Sequence, residues 1–313
     1  MFSKVAVTVC SANFLAYAKG LADSVVKFNP DYKVVIGLVD KLDDNFDFSF
    51  YQPHTILQVH EMNIPQFKEM YNRYNLFELN CALKSFFVKW VLNELRPAYV
   101  LYLDADMLVF DSFRDIENNL ENFSVFITPH IIKPFPDDGK RPRENDILKT
   151  GMFNAGFFAL KNDETGNQLI NWWSERMIDL GYERPKDGLN SDQNWLNFVQ
   201  LYFEKVQIVK HPGYNAAYWN LHERNITKNE NRFFANNEPL VFFHFSGYSI
   251  QNPDKISKHQ DRVSLKSNAV LAELCSIYHQ MLLKNRTETL QKIPCYYMKE
   301  KKKGWLKKMG IIK

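Results

Sequence analysis

The first forty residues confine this chain to a narrow set of folds. Lys4 to Cys10 reads as a short apolar strand. Asn13 to Phe28 carries Leu15, Ala18, Leu21, Ala22, Val25 and Val26 at helical spacing, and Asn29-Pro30-Asp31 stops that helix. Val34 to Val39 is a second buried strand, ending at Asp40. Strand, helix and strand in this order predict a parallel pair joined by a right-handed crossover. The alternation continues. A third strand is expected at 55–59, helices at about 65–74 and 76–95, and a strand over 98–110. A short helix at 112–120 and strands at 124–128 and 152–160 follow. Further helices are expected at 164–180 and 191–203, strands at 206–209 and 240–245, and an amphipathic helix from Val270 to Leu282. The fold class is α/β, a mostly parallel Rossmann-like sheet flanked by helices. Functional loops are expected at the carboxyl ends of its strands.

Composition narrows the function. The 313 residues suit one large α/β domain, with a high aromatic content (25 Phe, 15 Tyr) for a big core and a lined cleft. The net charge of +3 is uneven: residues 299–313 hold seven Lys and one Glu, so the remainder is −3 and gives no basis for nucleic-acid binding. The four cysteines, Cys10, Cys81, Cys275 and Cys295, show no metal spacing and no disulfide framework. The N-terminus reads as a strand rather than a signal peptide, and no apolar run reaches membrane-spanning length. The expected location is the cytoplasm.

The segment AYVLYLDADMLVF, Ala98 to Phe110, carries the chemistry. Asp104 and Asp106 lie two apart at the end of an apolar run, so a strand continuing through them would point both to one side. Paired carboxylates with phosphate oxygens completing the shell suit Mg²⁺ or Mn²⁺. Four other segments bear on the pair. Phe153-Asn154-Ala155-Gly156-Phe157 places an amide and two small residues in a strand, where a glycine marks close approach of a ligand. Asn190-Ser191-Asp192-Gln193-Asn194 opens a helix, with Ser191 or Asp192 available as an N-cap. His211-Pro-Gly-Tyr214-Asn215 is a polar turn. Val241-Phe-Phe-His244-Phe-Ser246-Gly247 ends an apolar strand in a histidine, either a core group or a third metal ligand.

The ordered set YLDADM, NAG (Asn154 to Gly156), DQN (Asp192 to Asn194) and HFSG (His244 to Gly247) resembles the GT-A nucleotide-sugar glycosyltransferases. It is most similar to the retaining branch with glycogenin and the bacterial lipooligosaccharide galactosyltransferases. The resemblance covers about residues 4–250 and rests on the order of four motifs, none specific alone. It implies that Asp104, Asp106 and His244 hold Mn²⁺ or Mg²⁺ against the donor diphosphate. Thr8, Ala12, Tyr17, Asp40, Lys84 and Ala105 would bind the nucleotide. Asn154, Ala155, Gly156 and Gly247 would line the donor-sugar pocket, and Asp192 and Gln193 would face the reaction centre. The implied activity is transfer of a hexose from a UDP-sugar to a glycan or glycolipid acceptor, with retention, in surface polysaccharide or lipopolysaccharide synthesis. Two departures stand out. The family's Lys-Pro-Trp after the last motif is missing, leaving Lys255, Lys258 or Arg262 as substitutes, and Lys84 stands in for an arginine ahead of the metal motif.

The expected division is a catalytic domain at 1–250, with its nucleotide half to about 110, a helical extension at 251–298 and a basic amphipathic tail at 299–313. That tail mixes lysines with Trp305, Leu306, Met309, Ile311 and Ile312, a composition suited to an anionic membrane surface and to peripheral attachment on the inner face of the cytoplasmic membrane. Residues 129–149, rich in Pro and charge, read as a long loop expected to order around bound donor. A haloacid dehalogenase phosphatase also carries D-x-D, but on its first strand and without the Met107-Leu108 that follow here. A non-catalytic sugar- or protein-binding relative of the GT-A enzymes is the other reading.

Overall fold

A computed structural model describes residues 4–309; Met1 to Ser3, and Ile311 and Ile312 of the tail, lie outside them. β1 (Lys4–Cys10), α1 (Leu15–Phe28), β2 (Lys33–Leu38) and β3 (Thr55–Gln58) form the expected parallel opening. α2 (Phe67–Arg73) and α3 (Leu76–Trp90) lead to β4 (Tyr99–Leu103), which lies parallel to β1 on its other side. β6 (Val125–Pro129) and β7 (Phe153–Lys161) complete the main sheet with the strand Val206–Ile208. The order is 206–208, β6, β7, β4, β1, β2, β3, and β7 runs against its neighbours. This is the mostly parallel, helix-flanked α/β sheet read from the sequence.

Alternation along β1 explains the two-sided core. Val5, Val7 and Val9 pack toward α3 and the helix Glu164–Asp179, while Ala6 and Cys10 pack toward α1 and the helix Ala269–Lys284. α3 and the helix Glu164–Asp179 start where side chains satisfy their free amides. Asn75 accepts from Glu78 N while Glu78 accepts from Asn75 N, and Asp163 accepts from Gly166 N.

The strand expected over 98–110 is two strands. After Leu103 the chain turns, with Met107 N donating to Asp104 O at 3.1 Å, and β5 (Met107–Val109) enters a second sheet. There it pairs antiparallel with Phe242–His244, which pairs parallel with Ala216–Ala217. Three other expectations need correction. The 129–149 loop closes in a helix, Glu144–Thr150. The expected 191–203 helix is a 3₁₀ turn at Asn194–Phe198 followed by the single α-turn Val199–Tyr202. Neither Ser191 nor Asp192 caps it: Ser191 is left-handed and Gln193 occupies the cap position. The lysine-rich end forms a helix, Tyr296–Lys308, whose Tyr297 packs against Phe67 and Tyr71.

Candidate active site

The turn between β4 and β5, not strand alternation, brings Asp104 and Asp106 together. The backbone fixes it on both sides, with Asp104 N donating to Gly156 O (2.8 Å) and Phe245 N donating to Asp106 O (2.8 Å). Because β5 pairs with the 242–244 strand, His244 arrives opposite Met107. One ligand atom each from Asp104, Asp106 and His244 then lie within 4.8 Å of one another. His244 Nε2 is 3.0 Å from Asp106 Oδ1. Such a contact needs a positive centre, a proton or a cation. Two ligands on adjacent corners of an octahedron with bonds near 2.1 Å are about 3 Å apart, so the spacing fits Mg²⁺ or Mn²⁺. Burial acts to raise the Asp106 carboxyl, but the charge and hydrogen bond of His244 hold it below the usual carboxylate range.

Gly156 is where the main sheet meets this trio. A Cβ there would lie 2.7 Å from Asn154 Oδ1 and His244 Cε1 and 2.9 Å from Asp104 Oδ2, so only glycine fits without displacement.

Lys84 sits on the other flank. Its Nζ is 2.9 Å from Asp104 Oδ1 and 3.1 Å from Asp192 Oδ2, and Tyr102 OH donates to the same Asp104 oxygen at 2.8 Å. Burial would strip the Lys84 proton, but the two carboxylates hold its ammonium well above the usual range. Asp192 does not gain in kind. Burial and the charge of Asp104 outweigh Lys84, and its carboxyl is pushed up to about 6. The cluster thus holds one firm cation, and Asp192 is readily protonated.

Gln193 spends its amide on protein: Nε2 donates to Thr150 O (2.7 Å), and Oε1 accepts from Asn154 Nδ2 (3.0 Å) and Ala155 N (3.2 Å). Both carbonyl lone pairs are used. His130, at the end of β6, is 3.2 Å from Asn154 Nδ2, and burial pushes it down to about 4, so it is a neutral acceptor.

A cleft of about 810 Å³ opens over these groups at the carboxyl ends of β1 and β4. Of the residues named from sequence, Tyr17, Lys84, Asp104, Ala105, Asp106 and Gly247 line it. Asn154, Ala155, Gly156, Asp192, Gln193 and His244 form the hydrogen-bonded layer beside that lining. Thr8, Ala12 and Asp40 are not in the lining: Thr8 is buried within β1, and Asp40 accepts from Ala12 N, Lys41 N and Tyr296 N. Asn80 and Phe77, missed in sequence, line the cleft with Lys84; they lie four and seven residues before it on one face of α3, a spacing that could have revealed them. Lys255 and Lys258 also reach the cleft. Arg262 does not, being tied to Asp138, Lys140 O and Pro142 O in the 129–149 segment.

The architecture is the GT-A fold. It superposes on the galactosyltransferase LgtC, solved with donor and acceptor sugar analogs, at a TM-score of 0.52 with 16% identity, covering 95% of this chain and 99% of that one. An active-site mutant of LgtC superposes at 0.53 with 15% identity, covering 90% of this chain and 95% of that one. Residues 5–249 match glycosyl transferase family 8, and the chain belongs to that family. Two curated relatives come from Bacillus subtilis (strain 168). YfnF is 29% identical over 185 residues, 56% of this chain and 59% of that protein. YfnD is 26% identical over 203 residues, 63% of this chain and 62% of that protein. The chain therefore spans about three-fifths of the length of these relatives.

Proposed function

We propose that this protein transfers a hexose from a nucleotide-diphosphate sugar, a UDP-sugar for preference, to a hydroxyl of a glycan or glycolipid, with retention and with Mn²⁺ or Mg²⁺. The observation that carries this reading is the convergence of Asp104, Asp106 and His244, the two carboxylates lining the 810 Å³ cleft with Lys84 and the histidine directly behind them. A cation held there supplies charge to offset the negative charge that grows on a departing diphosphate. The chain's own residues do the rest. Lys84 keeps Asp104 oriented and adds a fixed positive charge. Lys255 and Lys258 stand in the cleft and can meet phosphate oxygens in place of the missing Lys-Pro-Trp. Asn154, Ala155, Gly156 and Gly247 shape the donor-sugar side, with Tyr17 and Ala105 toward the nucleotide. Inversion needs a free carboxylate base opposite the leaving group. Asp192, 3% exposed and ion-paired to Lys84, is poorly placed to be one, which favours retention. Asp192 and Gln193 then serve as the polar wall of the reaction centre, Gln193 by holding Asn154 and Ala155 in place.

Synthesis of a surface polysaccharide or lipopolysaccharide fits a glycolipid acceptor. The helix Tyr296–Lys308, with Trp305 57% exposed among lysines and Met309 just beyond it 50% exposed, would rest on the inner face of the cytoplasmic membrane. Among the described residues no helix is long and apolar enough to cross one.

The test is thermal unfolding with a panel of nucleotide diphosphates and nucleotide-sugars, each with and without Mn²⁺. A ligand at 100 times its dissociation constant stabilises by about 2.7 kcal/mol. A Mn²⁺-dependent shift with one nucleotide class, lost in Asp106→Ala, is expected. No shift with any nucleotide would leave a non-catalytic GT-A protein as the better account.

A further inference from the structure

His244 offers two ring nitrogens, and which one is free for a cation depends on which one carries the proton. A chain of three side-chain amides decides it. The chain starts from backbone groups whose donor or acceptor character is not in question. Thr150 O can only accept, so the group facing it is the NH₂ of Gln193. Ala155 N can only donate, so it faces Gln193 Oε1. Asn154 must then present its NH₂ to Gln193 and its oxygen to Gly156 N (3.1 Å), again a pure donor. That oxygen also accepts from Asn215 Nδ2 at 3.0 Å, and the second Asn215 N–H goes to Thr128 Oγ1 at 3.0 Å. Asn215 is left only its carbonyl oxygen for His244, 3.2 Å from Nδ1. Nδ1 therefore carries a proton, and Nε2, 3.0 Å from Asp106 Oδ1, is the nitrogen left to meet a cation in place of a proton.

We infer that Asn215 is a positioning residue that holds His244 in the tautomer able to bind the cation through Nε2. Its place in the fold supports the role. Asn215 is fully buried and left-handed (φ 53°), a conformation asparagine tolerates better than most residues. Asn220 Nδ2 donates to its backbone carbonyl at 3.0 Å. The next two residues pair with Phe243 and His244, so the amide and the imidazole travel on adjacent strands. Partners of this kind fix ring orientation, and their loss costs about 10–100-fold in metal affinity. The inference rests on the metal reading above, and it adds that the donor-sugar strand and the metal histidine are one hydrogen-bonded unit.

The experiment uses the full chain without nucleotide. Mn²⁺ affinity is measured by electron paramagnetic resonance for wild type, Asn215→Leu and Asn215→Asp. The ligating nitrogen is read by NMR in ¹⁵N-histidine-labelled wild type loaded with ¹¹³Cd²⁺. Expected are cadmium coupling to Nε2 with the proton on Nδ1, and a fall of about 10–100-fold in Mn²⁺ affinity in Asn215→Leu. Asn215→Asp, which keeps an acceptor for Nδ1–H but loses the donor to Asn154 Oδ1, should fall less than Asn215→Leu. Coupling at Nδ1, or unchanged Mn²⁺ affinity in Asn215→Leu, overturns the inference. The cadmium spectrum needs no variant and stands if Asn215→Leu fails to fold. Wild type that binds neither ion refutes the metal reading itself.

Discussion

Replacing Lys84 by methionine keeps the length of the side chain and removes its charge. Lys84 is the cation between Asp104 and Asp192, with its side chain 8% exposed and that of Asp192 4% exposed. Removing one partner of a buried ion pair costs about 3–5 kcal/mol, because the other charge is left without compensation. At roughly 2 °C per kcal/mol for a chain of this size, K84M should melt about 6–10 °C below wild type near pH 8. The loss should depend on pH with a definite sign. Asp192 in the folded protein titrates near 6, above the ordinary carboxylate value of about 3.9. A raised carboxyl favours the folded state at low pH, and that contribution fades as pH rises through 6. Without Lys84 the carboxyl rises further, so the K84M penalty should be largest at pH 8 and shrink by pH 5, where Asp192 is mostly protonated in both proteins. Adding Asp192→Asn to K84M should recover much of the loss at pH 8 and little at pH 5. The assay is reversible denaturant unfolding of the four proteins of the cycle at both pH values. If K84M matches wild type at pH 8 within about 0.5 kcal/mol, or its penalty grows on acidification, the reasoning about this cluster is wrong.

Three other outcomes are expected. Gly156→Ala places a methyl 2.7 Å from His244 Cε1 and 2.9 Å from Asp104 Oδ2, and should weaken Mn²⁺ binding at least about tenfold while costing only about 1–3 kcal/mol in stability; calorimetric titration and unfolding read the two separately. Lys255→Ala and Lys258→Ala should each reduce affinity for UDP roughly tenfold, the worth of one charged hydrogen bond, and leave uridine binding unchanged; equal losses for both ligands would remove the phosphate role. Arg262→Ala should speed limited proteolysis within 129–149 severalfold with little change in melting temperature, since Arg262 holds that segment at Asp138, Lys140 and Pro142; equal cleavage rates would show that it does not.

The opening β-α-β unit was legible because its apolar spacing changes cleanly between strand and helix periods. The break after Leu103 was not. Apolar residues continue through Met107 to Phe110, and only the partner strand, more than a hundred residues away, shows that these belong to another sheet. The small antiparallel strands Ile226–Asn229, Arg232–Ala235 and Glu238–Pro239 were missed, being short and rich in polar residues. The helix Tyr296–Lys308 was read as a tail because its lysines mask the anchors Tyr297 and Lys301, the latter donating to Tyr74 O. At the site, Asp104, Asp106, His244 and Lys84, which the structure brings together, could be named from motifs, because each flanks or ends a strand or sits one helix away. Asn215 stood out only as part of a polar turn, and His130 only as part of the 129–149 loop. Their roles come from hydrogen bonds between segments distant in sequence. Asp40 is a different case: its position after β2 suggests a ligand contact, and in the structure its oxygens accept from three backbone amides outside the cleft lining.

The seam between the two sheets also bears on the order of assembly. β1, β2 and β3 pair across short connections, and their contacts can form early. The pairing of Met107–Val109 with Phe242–His244 closes a far longer loop, and its entropy must be met before the contacts repay it. During refolding the β1–β3 sheet is then a formed surface while His244 is still unpaired with Met107. On the metal reading proposed above, the capacity to bind a cation should return only after β1, β2 and β3 have paired, making metal binding a late clock for this fold.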